Sequence, residues 1–411
     1  MGEFLKFVSR EEVYSEYISK LKPIFDVESI SVFEAVNRVC SEDVVSDENL
    51  PGFYRSNVDG YAVKAEETFG ASMEMPAFLK VIGEIKIGEE PSITLNSGEA
   101  IRVATGGTIP KGANAVVMVE NTKEIGEFVE VYKTVSPWEN ILREDEDVKV
   151  GETIIEKGKR LNDRDIHSLL AIGKMEIKVF KKVRIGIIST GDEIIEPWEK
   201  KKVKYQIRDS NTYFLANYLK NQGFEAIRLG HVKDDYVKLL EIIKFALKNH
   251  DVVITCGGSS LGTRDYTMAA FSEVGEVIYH GVLIKPGKPT VFGLSKNKVL
   301  IGLPGNPTSF VSSTTLFLIP ILKKLSGEKD VFPKPEFYVK IDTNVPASQG
   351  RERFVMVKLY RENRNLFATP ILGDSGLIST IRRADGMIRI PLGVEGLYKN
   401  ETCEFYRLLD F

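Results

Sequence analysis

The chain has 411 residues, 43% of them hydrophobic and 27% charged, with 55 Lys and Arg against 58 Asp and Glu for a formal charge of -3. At roughly 150 residues per domain this is two to three domains, and the even charge balance speaks against a nucleic-acid binder, which carries a basic surplus. Three distant cysteines (Cys40, Cys256, Cys403) and four isolated histidines (His167, His231, His250, His280) speak against a disulfide framework, a zinc module and a Ser-His-Asp triad, leaving a hard cation on oxygen ligands as the metal to expect, if any.

The start, MGEFLKFVSREEVYSEY, is charged and amphipathic and has no signal-peptide core. No apolar run approaches the 18 or so residues of a membrane span, so a cytoplasmic protein is expected. Val13, Tyr17 and Leu21 recur at helical spacing behind Ser9, a natural N-cap, and VFEAVNRVC after Ser31 predicts a second short helix. Over residues 50–150, Gly and Pro punctuate β-branched runs such as AIRVA, AVVMVE and EFVEVYK, which predicts a β-rich region. Helical spacing returns at 163–173 with Ile166, Leu169 and Leu170.

A new pattern begins at Lys181. VRIGIIS, FEAIRLG, DVVITC, EVIYHGV, TVFGL and KVLIGL read as strands; DSNTYFLANYLKNQG, YVKLLEIIKFALKN, a stretch from about Arg264 and NPTSFVSSTTLFLIPILKKL read as helices. Alternation of this kind predicts a doubly wound, parallel α/β domain. GEKDVFPKPE (327–336) is a polar linker with two prolines, and FYVKID, RFVMVKLY, NLFATPI and CEFYRLL predict a small terminal β-domain, a barrel or a sandwich. The chain thus divides into an N-terminal helical and linking domain (1–48 and 148–180), an inserted β-rich domain (49–147), an α/β domain (181–327) and a C-terminal β-domain (334–411).

Four loops of the α/β domain share one placement. STGDE (189–193), TCGGSSLGTRDYT (255–267), KPGKP (285–289) and GLPGNPTS (302–309) all follow strands, at the edge where a parallel sheet presents its ligands. Their glycines permit close backbone approach, and GGSS leads to a helix start suited to phosphate. Lys285 and Lys288, three apart in a Pro-flanked loop, are placed to meet one anion. Asp192, Glu193, Asp209 and Asp265 suit Mg²⁺, which takes a few carboxylates plus substrate oxygens and water; alone, Asp209 reads as a helix cap. In SNVDGYAV (56–63) Asp-Gly is an ordinary turn pair, RVATGGTIPKGANAVV (102–117) is a further Gly-rich stretch, and EDED (144–147) an acidic surface loop.

Taken in order, SNVDGYA, RVATGGTIPKGANAVV, ISTGDE, DSN, CGGSSLGTRDY, IKPGKPT and GLPGNPTS resemble the molybdopterin molybdenumtransferases, the MoeA family that includes the gephyrin E-domain. The resemblance covers nearly the whole chain. It implies a molybdopterin-binding α/β domain, a C-terminal β-barrel and an elongated homodimer in which the SNVDGYA region faces the partner's α/β domain. It implies a reaction in which molybdate, or tungstate, is placed on the dithiolene of adenylylated molybdopterin with Mg²⁺-dependent release of AMP, the substrate arriving from a molybdopterin adenylyltransferase.

Position by position, the resemblance implies roles for Asp59 of SNVDGYA, Thr105 of VATGG, Asp147 of EDEDV, Glu193 of STGDE, Asp209 of RDSN and Asp265 of GTRDY at the active cleft, with Asp265 and Glu193 as Mg²⁺ ligands. Lys285, Lys288 and Ser309 are implied for pyrophosphate or molybdate, Gly257, Gly258 and Ser259 for the pterin phosphate, and Arg351 of GRERF and Ser379 of SGLISTIRRADG for an oxyanion. NILREDED is more acidic than the corresponding family segment, which puts an anion-binding role of that loop in doubt. The alternatives are a cofactor or nucleotide pyrophosphatase, an enzyme like the molybdopterin adenylyltransferases, and a gephyrin-like scaffold. The N-terminal β-region with SNVDGYA separates the chain from the first two, and the full set of acids and lysines from the third.

Overall fold

The computed structural model describes residues 7–257, 261–371, 373 and 376–409, the side chains of 261–265 excepted. It forms two compact units, one of residues 43–156 with 167–175, the other of 1–42, 157–166 and 176–411. Among the described residues no helix is long and apolar enough to cross a membrane.

The first unit is built on a six-stranded sheet in the order Ala115–Met118, Gly60–Val63, Glu99–Val103, Ala77–Ile85, Phe128–Val131, Thr122–Ile125. Strand alternation gives it two cores. Tyr61, Val63, Val117 and Val129 fill one, and Ala62, Ile101, Val103 and Val116 the other. Gly60 is not the turn residue that Asp-Gly predicts. It opens a strand, and a Cβ there would stand 1.9 Å from the Val117 carbonyl oxygen.

In the second unit the α/β sheet runs Glu225–Val232, Arg184–Thr190, Val252–Gly257, Lys298–Leu303, Val291–Ser295, Glu276–Tyr279. Its strands are apolar on both faces because helices cover both. Ile187 and Ile254 pack with Leu215, Leu219 and Phe310, whereas Ile188 and Val253 pack with Leu239, Ile243 and Phe271. The first four strands are parallel, as expected, but Val291–Ser295 is antiparallel to Lys298–Leu303. The reason is length: only Lys296 and Asn297 separate the paired Ser295 and Lys298, far too few for a crossover.

The helical stretch after GLPGN continues from Pro307 to Leu325 through a π turn at Thr314–Leu318. Pro320 has no N–H for the Leu316 carbonyl, a known cause of such a turn. The Tyr14 hydroxyl donates to that carbonyl instead, at 2.8 Å. Tyr14 belongs to the N-terminal helical segment, which begins with a capping box between Ser9 and Glu12 and buries Val13, Tyr17, Ile18 and Leu21 in the same core. VFEAVNRVC, expected as a helix, makes only the single 3₁₀ turn Val32–Glu34. Asn37 turns left-handed (φ 65), and Val39 and Cys40 then bridge to Arg160 and Val179.

The terminal β-domain is a closed barrel of Phe337–Ile341, Glu352–Glu362, Asn365–Pro370, Gly386–Ile390 and Thr402–Arg407, closed by pairing between Glu352–Glu362 and Gly386–Ile390. Ile284–Lys285, where the KPGKP loop begins, adds in parallel to Glu352 and Arg353 at the barrel's edge. The α/β domain and the barrel are thereby joined by backbone pairing where the predicted anion loop lies.

Candidate active site

The carboxyl ends of Arg184–Thr190, Val252–Gly257 and Lys298–Leu303 lie side by side, because Thr190 pairs with Gly257 and Cys256 with Leu303. Val291 pairs with Gly302, so the antiparallel strand starts at this same edge and places KPGKP with the other loops. Gly257 is required by the close approach: its φ is +149°, and a Cβ would fall 1.9 Å from the Thr190 carbonyl oxygen. Gly258 and Ser259 lie outside the described residues, as does the side chain of Asp265, whose backbone belongs to the helix Leu261–Val274.

A cavity of about 710 Å³ opens beside KPGKP. Lys285 and Lys288, Thr308 and Ser309 line it from the α/β domain, and Arg351, Arg353 and Thr380 from the barrel domain. Four of its lining residues are therefore cations, and among the described residues it has no lining carboxylate. Phe354, Val355, Met356 and Leu377 make the rest of the wall largely apolar, which strengthens any charge interaction inside. Ser379 is exposed on the helix Ile378–Arg383 and is not among the lining residues, although its neighbour Thr380 is. The Lys288 ammonium sits 4.4 Å from the centre of the Phe7 ring, a cation–π contact that holds it in place. Phe7 itself is fixed by the pairing of Phe7–Val8 with Gly281–Val282.

The acids form a second group at the edge. Glu193 folds back over Gly191, where a Cβ would meet its carboxylate at 2.7 Å. Asp192 accepts from the backbone N–H of Asp234 at 3.2 Å. Asp234 follows the strand Glu225–Val232, and its carboxyl is pushed above the ordinary range by burial and by the charges of Asp192 and Glu193. Its Oδ1 is buried with no hydrogen-bond partner. Orphaned carboxylate oxygen facing like charge is chemistry that suits a hard cation. Among the described residues no three His, Cys, Asp or Glu form a ready-made metal cage.

Asp209 is committed elsewhere. It is buried (5% exposed), accepts from the Thr212 N–H at 3.1 Å and pairs with Arg228 at 3.0 Å. The bond from Thr212 serves the start of the helix Asn211–Asn221, as the sequence predicts for this acid, although the N-cap position itself is Ser210, and the ion pair ties Asp209 to the strand Glu225–Val232. In the other unit, Thr105 donates to Asp59 from its backbone N–H at 2.7 Å and from its hydroxyl at 2.9 Å. The two bonds hold the exposed Asp59 carboxyl below its ordinary value. Asp147 is also exposed, and its backbone N–H is fixed to the Leu50 carbonyl at 2.9 Å.

Two charged residues of these groups have no counterpart in the sequence reading. Asp234 stands in KDDY, where the neighbouring Asp235 caps the next helix and supplies a sufficient reason for both acids. Arg353 stands beside Arg351 in GRERF, and only the barrel register shows that it faces Lys285 across paired strands.

Comparison with known proteins covers the chain almost end to end. Residues 8–173 match the MoeA N-terminal region (domains I and II), 186–324 a probable molybdopterin binding domain, and 338–408 the MoeA C-terminal region (domain IV). A putative molybdopterin biosynthesis protein of Methanocaldococcus jannaschii is 38% identical over 404 residues, 97% of this chain and 95% of that protein. A molybdopterin molybdenumtransferase of Haemophilus influenzae is 34% identical over 84% of each chain. The solved structure of a molybdopterin biosynthesis MoeA protein from Pyrococcus horikoshii OT3 superposes with a TM-score of 0.83 at 32% identity, covering 98% of this chain and all of that one.

Proposed function

Since the chain belongs to the MoeA family of molybdopterin molybdenumtransferases, enzymes of molybdenum cofactor biosynthesis, we propose that it inserts molybdate-derived metal into the dithiolene of adenylylated molybdopterin with Mg²⁺-dependent release of AMP. The observation that carries this reading is the cavity of about 710 Å³ with its four cations. Molybdate and tungstate are tetrahedral dianions. Lys285 and Lys288 meet such an ion as compact point charges, Arg351 as a planar fork of donors, and Thr308 and Ser309 offer hydroxyls from the α/β side. The apolar side chains behind the cations would lower the local dielectric and strengthen their attraction for the oxyanion.

Glu193 and Asp265 remain the proposed Mg²⁺ ligands, and the orphaned Asp234 oxygen supports adding that residue to the set. Bound there, the ion would neutralise charge developing on the phosphoanhydride as AMP leaves. The pterin phosphate is proposed to meet the GGSS segment, which begins at Gly257, where the chain passes close to Thr190. Asp59 and Thr105, locked together on the other unit, are proposed to act at the cleft of a cytoplasmic homodimer supplied by a molybdopterin adenylyltransferase, and the resemblance supports that part.

The reading is tested by incubating the full chain with adenylylated molybdopterin, Mg²⁺ and molybdate, and measuring AMP and dithiolene-bound metal together. The expected result is AMP release that depends on molybdate and matches the metal inserted. AMP released equally without molybdate, with no metal inserted, would overturn it in favour of a pyrophosphatase.

A further inference from the structure

Arg353 is the one of the cavity's four cations to which neither the resemblance nor the reading above assigns a role. It lies on the barrel strand Glu352–Glu362, where parallel pairing with Ile284–Lys285 places it in register with Lys285. Its neighbour shows how this fold treats other arginines. Glu352 is buried (3% exposed), accepts from Arg10 at 2.9 and 3.0 Å, and also pairs with Arg389. Those two guanidiniums are compensated by a carboxylate, and Arg389 has a second in Glu404 at 3.2 Å.

Among the described residues Arg353 has no such compensation. Among the described residues it makes no ion pair, and its hydrogen bond runs from Nη1 to the Pro346 carbonyl. A guanidinium carries five N–H donors, so one carbonyl leaves most of them unserved. Arg353 is half-buried, and burial alone, with no carboxylate to offset it, pushes its guanidinium below the ordinary value. Its companions at the cavity, Lys285, Lys288 and Arg351, are of the same sign. A desolvated cation among like charges costs stability unless a ligand compensates it.

We propose that Arg353 binds the oxyanion directly, and that this fourth cation sets the cavity's preference for tetrahedral dianions over monoanions of the same shape. The proposal rests on the reading of this cavity as the oxyanion site. The selectivity follows from Coulomb's law: the attraction lost with one cation scales with the charge of the ligand. Removing Arg353 therefore costs a dianion twice the free energy it costs a monoanion.

The test is titration calorimetry of the full-length chain with molybdate and, separately, with perrhenate, a tetrahedral monoanion of similar size. The proteins are wild type, Arg353→Gln and the double variant Lys285→Ala with Lys288→Ala. For Arg353→Gln the expected loss is about tenfold for molybdate and about threefold for perrhenate, half the logarithm. The salt dependence of molybdate binding should become shallower. In the absence of oxyanion its thermal midpoint should equal or exceed that of wild type, whereas a structural arginine would lower it. Unchanged molybdate affinity in Arg353→Gln, with the lysine double variant weakened, would overturn the role of Arg353 and leave the cavity reading intact. Equal losses for the two anions would overturn the selectivity. Failure of the wild type to bind molybdate, or no loss in the lysine double variant, would overturn the cavity reading and the proposal with it.

Discussion

Asp234 is an acid buried among like charges, with one oxygen left without a hydrogen bond. Its carboxyl titrates above the ordinary range because burial and the charges of Asp192 and Glu193 all oppose ionisation. The folded state therefore holds this proton to higher pH than the unfolded chain does, for which a value of about 3.9 applies. The resulting penalty is absent below that pH, grows as pH rises towards the folded-state value and is complete above it. Asp234→Asn should raise the thermal midpoint at neutral pH by about 1–2 °C, lose that advantage at acid pH, and reduce Mg²⁺-dependent AMP release. Scanning calorimetry at several pH values checks it; a midpoint lowered at neutral pH would sink the argument. Lys285 and Lys288 were legible in the sequence because a short Pro-flanked loop confines both side chains. Asp234 was not, because only sheet order sets Glu225–Val232 beside Arg184–Thr190 and brings KDDY to STGDE.

Among the elements, the strand Glu352–Glu362 does the most to position the cavity. It closes the barrel, receives Ile284–Lys285, and carries both Glu352 and Arg353. Glu352 ties it to the N-terminal segment through Arg10 and to the neighbouring strand Gly386–Ile390 through Arg389. Removing one charge of a buried set leaves the others uncompensated, at a cost of about 3–5 kcal/mol, whereas replacing the whole set by apolar residues is often close to neutral. Glu352→Gln should thus lower unfolding free energy in denaturant by about that amount. Arg10→Met, Glu352→Leu and Arg389→Met together should recover much of it. A triple variant no more stable than Glu352→Gln would show that the charges are not the source of the loss. Strands and helices with a clean period were readable in advance, down to the four barrel strands with alternating apolar residues. Gly386–Ile390, which closes the barrel, was not, because closure depends on distant partners in the chain, Val355 and Val357. The direction of Val291–Ser295 was missed because strand composition is silent on polarity, which the two-residue loop decides.

For the whole molecule the distribution of cores predicts how it unfolds. One cluster unites Val8, Val13 and Tyr17 of the N-terminal segment, Ile187, Ile254 and Phe317 of the α/β domain, and Phe354, Met387 and Tyr406 of the barrel domain. Elements that share one core lose it together, so this unit should melt as a single cooperative body despite its several domains. Residues 43–156 with 167–175 have their own cores around Tyr61 and Ile101 and can melt separately. The cationic cavity is lined wholly by residues of the larger unit. A ligand that binds only the folded site stabilises the unit that contains it, by about 2.7 kcal/mol at a hundred times its Kd. Scanning calorimetry should therefore show two transitions, with molybdate raising one and leaving the other in place. Hydrogen exchange read at Ile187 and Ile101 assigns them, the moving transition belonging to Ile187. A single transition that shifts as a whole would mean that the two units unfold as one, and that the partition of cores does not govern stability.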